Sequence, residues 1–150
     1  MRNVSVSRVM PVPKEEVWRV LADFPGIDQW NSGIKKSYAT SSETTGVGAK
    51  RHCDLAPLGE LEETIAEWVP NERLVVNIDS ATKVPIESGA ATFILDETDG
   101  ATTTTISYSY KTKFGPIGSM MGPMLDKKLT SGFDGFLVDL EKAAQATGAT

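Results

Sequence analysis

Apolar and polar residues change their spacing along this chain, and each change marks an element. Arg2 to Met10, RNVSVSRVM, alternates with period two: Val4, Val6 and the Arg8 position share one side and the serines the other, which predicts a half-buried strand. VPKEEVWRVLADF then moves to helical spacing. Pro13 suits a first helical position, Glu15 and Glu16 sit at the positive end of the helix dipole, and Val17, Val20, Leu21 and Phe24 recur on one face. Pro25-Gly26 ends this short amphipathic helix, and IDQWNSG is too short and polar for more than one further turn.

From Ile34 to Tyr110 no long helical pattern fits between the Gly, Pro, Asn and Asp breaks. The runs predict a meander of antiparallel strands at roughly 34–42, 48–55, 59–68, 72–79, 88–96 and 102–112. Turns fall at ETTGVG, APLG, VPNE, SATKVPIE and ETDGA, and Asp99-Gly100 in the last is the strongest hairpin signal. TTTTISYSYK is the clearest strand: Thr102, Thr104, Ile106, Tyr108 and Tyr110 share one face. In GELEETIAEWVP, strict alternation puts Leu61 and Ile65 opposite Trp68, so this strand either carries a bulge or is apolar on both sides.

After Pro123 the spacing is helical again, with Leu125, Leu129, Phe133, Phe136, Leu137, Leu140 and Ala144 on one stripe and Gly148 at its end. The segment before it, FGPIGSMMGPMLDKKL, holds three of the chain's five methionines among glycines and prolines. Met is an adaptable core filler, so this segment reads either as plain packing or as a flexible apolar lid.

A chain of 150 residues fits a single domain, 1–150, with one core. Its net charge of −5 argues against a nucleic-acid partner, because phosphate binding needs a basic stripe, and by the same reasoning disfavours an anionic membrane surface. Lys35-Lys36, Lys50-Arg51 and Lys127-Lys128 are the only basic clusters and are short enough to be ordinary solvated surface. No apolar run reaches the roughly 18 residues of a membrane helix, and MRNVSVSRVMPVPKEEVW lacks a signal-peptide core, so stable membrane insertion is not expected and a cytoplasmic location is. The single cysteine, Cys53, excludes an internal disulfide and suits a reducing compartment, which leaves the sequon Asn3-Val4-Ser5 without consequence.

The order of a first strand, a helix opening VPKEEVWRVLADFPGIDQW, six strands with TGVGAKR early and EWVPNERL in the middle, and a long final helix resembles the START-like superfamily. Within it the chain looks most like the polyketide cyclase/dehydrase and lipid-transport group, from Val4 to Ala146. The resemblance implies an α+β helix-grip fold: a curved seven-stranded antiparallel sheet wrapped around the C-terminal helix, with a cavity between them. It also implies binding, and by extension transport, of a small hydrophobic molecule such as a lipid, isoprenoid or polyketide-like aromatic. Two alternatives accompany that reading. One is an enzyme of the polyketide cyclase/dehydratase type, moving protons with Tyr, Arg or Glu groups and using no metal or cofactor. The other is a docking module whose cavity mouth receives a protein partner.

Candidate chemistry is sparse. His52 is the only histidine, which excludes a histidine metal cluster, and on a strand it faces away from Cys53, so the two form no local pair. Cys53 reads as a small buried hydrophobe. LDETDG lacks the ligand spacing of a calcium loop and reads as a hairpin. Glu60 and Glu62 share a face with Glu63 opposite; solvated charge is the plain reading, but one facing the cavity could pair with Arg51 and serve as acid or base. Tyr108 and Tyr110 lie on the face expected to line the concavity, and each buried hydroxyl needs a protein or ligand partner. Trp30 and Tyr38 are aromatics near the expected mouth, and Phe93 is a further lining candidate. In the family's layout Met120, Met121 and Met124 line or cover the entrance, Gly115, Gly118 and Gly122 give it freedom to open, and Lys128 could neutralise an acidic headgroup.

Overall fold

The computed structural model describes residues 1–55 and 57–148. β1 (Arg2–Met10) leads into α1 (Lys14–Ala22) and a 3-10 helix (Phe24–Gln29). The meander follows as β2 (Lys36–Ala39), β3 (Lys50–Asp54), β4 (Glu60–Val69), β5 (Arg73–Thr82), β6 (Ile86–Thr98) and β7 (Ala101–Thr112). A short α2 (Gly115–Met120) precedes the long α3 (Gly122–Gly148). The strands form one open seven-stranded sheet in the order β1-β7-β6-β5-β4-β3-β2, every pair antiparallel. This is the helix-grip α+β arrangement: a curved sheet gripping its last helix.

The element boundaries follow local chemistry. Asp99 and Gly100 both take left-handed backbone, φ 52° and 80°, and close the β6–β7 hairpin so tightly that Thr98 pairs with Ala101. Pro13 sits one place outside α1, as its extended cap. The turn read over SATKVPIE is shorter than its residue types suggest: β5 runs on to Thr82, and left-handed Lys83 makes the reversal. β2 keeps only four of the residues assigned to its strand by alternation. Strand β4 carries a bulge. Register shifts leave Ala66 on β4 and Asp79 on β5 without a cross-strand ladder partner, so Leu61, Glu63, Ile65 and then Trp68 all face inward. Trp68 thereby meets Trp18 of α1 edge-on, ring centroids 5.0 Å apart.

The inward face of β7 is as the alternation predicts: Thr102, Thr104, Ile106, Tyr108 and Tyr110 are all buried. Its hydroxyls are satisfied locally where they meet backbone, with Thr102 Oγ1 donating to the Val12 carbonyl at 2.7 Å. The fully buried core includes Met10, Val17, Phe24, Ile65, Val76, Ile106, Tyr110, Leu137 and Leu140, contributed by β1, α1, the 3-10 helix, the sheet and the C-terminal half of α3.

Helix α3 is held to one side of the sheet. Its backbone packs against β1, α1 and β7 and does not come close to β3, β4, β5 or β6 among the described residues. Polar straps fix its position, through Asp126 and Glu141 to β1 and β7 and through Asp139 to the loop after the 3-10 helix. Asp126 accepts from Arg2 Nη2 at 2.6 Å and from the Tyr110 hydroxyl at 2.6 Å, Asp139 accepts from the Ser32 backbone and hydroxyl, and Glu141 takes Arg8 at 3.2 Å. The Arg2 and Tyr110 hydrogen bonds hold the Asp126 carboxyl below its ordinary pKa. A carboxyl depressed in the folded state adds stability above its unfolded pKa of about 3.9, and that stability is lost as pH falls through the lower folded value. The melting temperature of Asp126→Asn should therefore lie below wild type at neutral pH and converge with it in strong acid; parallel pH curves would show that this strap does not contribute.

Candidate functional site

Because α3 stands off the middle strands, its half-buried side chains Leu129, Phe133 and Phe136 have to span the gap, and they do so incompletely. A cavity of about 190 Å³ remains between them and the concave face of the sheet. Its sheet wall is made of inward positions on successive strands: Arg51 on β3, Leu61 and Glu63 on β4, Val76 and Ile78 on β5, Ile86, Ala91 and Phe93 on β6, and Tyr108 on β7. Ile27, Asn31, Ile34, Leu55 and Val84 complete it from the 3-10 helix and the connecting loops. Register explains much of the space. Ala91 stands opposite Tyr108 on one side and Val76 on the other, so a methyl group occupies the centre of the floor. Gly89 makes room for the phenol itself: a Cβ there would lie 2.4 Å from the Tyr108 hydroxyl oxygen.

Polar groups enter this apolar space at few points. Arg51 and Glu63 are cross-strand partners, and Arg51 Nε donates to Glu63 Oε1 at 2.9 Å with both side chains buried. The guanidinium also donates to the Phe24 carbonyl at 2.9 Å and its carbon lies over the Phe24 ring, 3.9 Å from the centroid. Cys53 Sγ approaches the same Glu63 oxygen at 3.4 Å. Burial, with a smaller contribution from the Glu63 charge, pushes the Cys53 thiol up to about 12, so it is no thiolate nucleophile. The pair is electrically balanced and hydrogen-bonded, and it presents neither a free cation nor a free anion to the cavity.

Tyr108 differs. Its ring is packed by Tyr110, centroids 5.6 Å apart, and by Phe133 at 5.2 Å, yet its hydroxyl has no hydrogen-bond partner among the described residues. Burial first and the Glu63 charge second raise its pKa well above the ordinary phenol value. It is a neutral donor at any physiological pH. Asn31, buried at the end of the 3-10 helix, spends its Oδ1 on the Gly33 backbone N–H at 2.9 Å. The cavity therefore offers an uncharged hydrogen-bonding group against an apolar wall and an internally neutralised ion pair.

The candidates named from sequence divide sharply. Arg51, Phe93 and Tyr108 line the cavity. Trp30 stands behind its wall, edge-on to Phe136 at 5.1 Å, with its indole N–H buried and without a partner among the described residues. Tyr110 lies beneath Tyr108, but its hydroxyl is taken by Asp126. Burial and then that carboxylate raise its pKa to about 12. Tyr38 is on the outer face of the sheet, stacked on His52 at 4.9 Å, and His52 in turn contacts Glu62 and lies 3.6 Å from Glu60. Met120, Met121, Met124 and Lys128 are exposed and border the cavity nowhere. Of the glycines read as hinges, only Gly115 has a left-handed φ; Gly118 and Gly122 are buried as close-packing positions. Of the three glutamates weighed from sequence, Glu63 is the one that faces inward and pairs with Arg51. Asn31 carried no pattern of its own in the sequence.

A sequence profile described as polyketide cyclase / dehydrase and lipid transport matches residues 1–145. Among curated proteins none matches the chain. Several solved structures share the fold. A protein from Thermus thermophilus superposes with a TM-score of 0.81 at 16% identity, covering 97% of this chain and 99% of its own. A START superfamily protein from Mycobacterium smegmatis gives 0.80 at 15% identity over 97% and 98%. The ZhuI aromatase/cyclase from a Streptomyces species gives 0.79 at 15% identity over 96% and 93%.

The buried pair yields a stability prediction. Glu63→Ala leaves the Arg51 guanidinium buried without its counter-charge and should cost about 3–5 kcal/mol in denaturant unfolding, whereas the double change Arg51→Met with Glu63→Leu should cost far less. Equal losses in both variants would mean that packing, and not the stranded charge, sets the penalty.

Proposed function

Given that the chain belongs to the polyketide cyclase/dehydrase and lipid transport family, we propose that it binds a small, uncharged hydrophobic molecule in the cavity between its sheet and α3. The observation that carries this reading is Tyr108, whose side chain lines an apolar cavity and whose hydroxyl makes no hydrogen bond among the described residues. A ligand oxygen at that point would accept a hydrogen bond that no protein group takes, worth about 0.5–1.5 kcal/mol net. The size of the space narrows the class. At about 190 Å³ it is smaller than the roughly 300–1,000 Å³ of pockets for drug-sized molecules, which suits one or two fused rings better than a long acyl chain. The balanced Arg51–Glu63 pair favours a neutral carbonyl or hydroxyl over a carboxylate, because an anion would have to compete with Glu63 for the guanidinium.

A second reading, catalysis of the cyclase/dehydratase type, rests on the same three side chains. Tyr108 holds its proton, Glu63 is close enough to raise the pKa of that phenol, and Arg51 orients Glu63. A polyketide-like substrate folded against them would gain mainly from positioning. The two readings separate on Tyr108→Phe: a carrier loses affinity, an enzyme loses turnover while it still binds.

Titration calorimetry with 2-naphthol, 2-naphthoate and palmitate tests the binding proposal. Naphthol should bind most tightly. Tyr108→Phe should weaken it by about 0.5–1.5 kcal/mol, the net worth of one hydrogen bond. Ala91→Leu, which fills the floor, should abolish binding with the fold intact. Preference for palmitate over naphthol, or undiminished binding in Ala91→Leu, would place the ligand elsewhere.

A further inference from the structure

The segment between β7 and α3 faces outward with its apolar side. Phe114 and Gly115 both take left-handed backbone, φ 68° and 52°, and turn the chain sharply out of β7. α2 then lays its glycine side inward. A Cβ on Gly118 would lie 1.7 Å from the Lys113 carbonyl oxygen, so no side chain fits there, and one on Gly122 would lie 2.4 Å from the Arg2 guanidinium and displace it. Ile117, Met120, Met121 and Met124 recur at helical spacing on the other side and project into solvent. Phe114 is 73% exposed, Ile117 71%, Met120 83% and Met124 51%. A contiguous apolar ridge of this kind on an otherwise ordinary surface marks an interaction site.

Charge around the ridge runs against that of the whole chain. Lys127 and Lys128 continue the same helical face one turn beyond Met124, are exposed, and have no ion-pair partner among the described residues. Lys113 flanks the ridge at the end of β7, where its Nζ donates to the Ala81 carbonyl. The nearby carboxylates are already neutralised, Asp126 by Arg2 and Glu87 by Lys111. A net charge of −5 for the chain thus conceals a positive end, and screening over about 8–10 Å makes that local excess the field a surface would feel.

We propose that this ridge docks the protein on an anionic lipid bilayer, with the Phe, Ile and Met side chains entering the headgroup–acyl boundary and the lysines meeting lipid phosphates. The ridge is convex and projecting, and it pairs apolar side chains with flanking ammonium groups, which is the chemistry of interfacial helices. Methionines conform readily to a disordered acyl surface. No helix among the described residues is long and apolar enough to cross a membrane, so the contact is superficial. The net charge of −5 and the lack of a basic stripe disfavoured such a surface; the excess is local, because the lysines flank the ridge segment at both of its ends. This inference does not depend on what the cavity holds.

Flotation of the full chain with phosphatidylcholine vesicles, with and without phosphatidylserine, tests it. The protein should float with the phosphatidylserine vesicles and be released by salt. Lys127→Ala with Lys128→Ala should weaken binding roughly thirtyfold. Ile117→Ser with Met120→Ser should abolish flotation at an unchanged melting temperature. No flotation with phosphatidylserine vesicles, equal flotation on phosphatidylcholine alone, or wild-type flotation by either variant overturns the proposal. So does a non-floating dimer that light scattering shows to become monomeric in Ile117→Ser with Met120→Ser, since a second copy would then cover the ridge.

Discussion

One helix has to cover the apolar face of a seven-stranded sheet, and it is too narrow to do so. The polar straps decide how the shortfall is distributed. Arg2 and Tyr110 on Asp126 and Arg8 on Glu141 draw α3 toward the β1–β7 edge, and Leu137, Leu140 and Ala144 are fully buried. The middle strands are left to side chains reaching across from Leu129, Phe133 and Phe136. The cavity is the consequence of fixing a helix at one edge of a curved surface.

Inside it, the energetics of burial constrain the chemistry. A guanidinium and a carboxylate taken out of water contribute little net stability as a pair, but either alone is expensive, so Arg51 and Glu63 are tied to each other, to the Phe24 carbonyl and to the Phe24 ring. That arrangement leaves no spare charge. The phenol of Tyr108 and the side-chain NH2 of Asn31 become the groups with hydrogen-bonding capacity to offer, and Gly89 and Ala91 give the phenol its room. Because the scaffold hosts carriers and catalysts alike, the distinction between them rests on this handful of side chains.

The glycines of the Met-rich segment illustrate how a residue's physical role depends on what lies beneath it. Glycine permits both unusual backbone angles and close approach. At Gly115 the first use applies. At Gly118 and Gly122 the second does, since the Lys113 carbonyl and the Arg2 guanidinium occupy the space of a side chain. Pressing the glycine side down necessarily turns the methionines out, away from the cavity they were expected to guard.

By itself, the sequence determined the elements and the class of fold. Period-two alternation exposed the inward face of β7, Asp99-Gly100 located its hairpin, and the stripe from Leu125 to Ala144 predicted α3, because these signals depend on local backbone geometry. The family resemblance supplied the helix-grip arrangement on top of that. Tyr108 was legible as a lining candidate for the same reason, because it sits on the apolar face of β7, whereas the inward positions of Arg51 and Phe93 depend on strand register. What only the tertiary structure decided was everything set by pairing at a distance. The β4 bulge at Ala66 chose the side for Trp68, cross-strand register joined Glu63 to Arg51, and the reach of Asp126 took the Tyr110 hydroxyl out of the cavity. Alternation fixes a side chain to one of two faces, but which groups meet across a face depends on register, bulges and the seat of a helix, and these are properties of the whole packed chain.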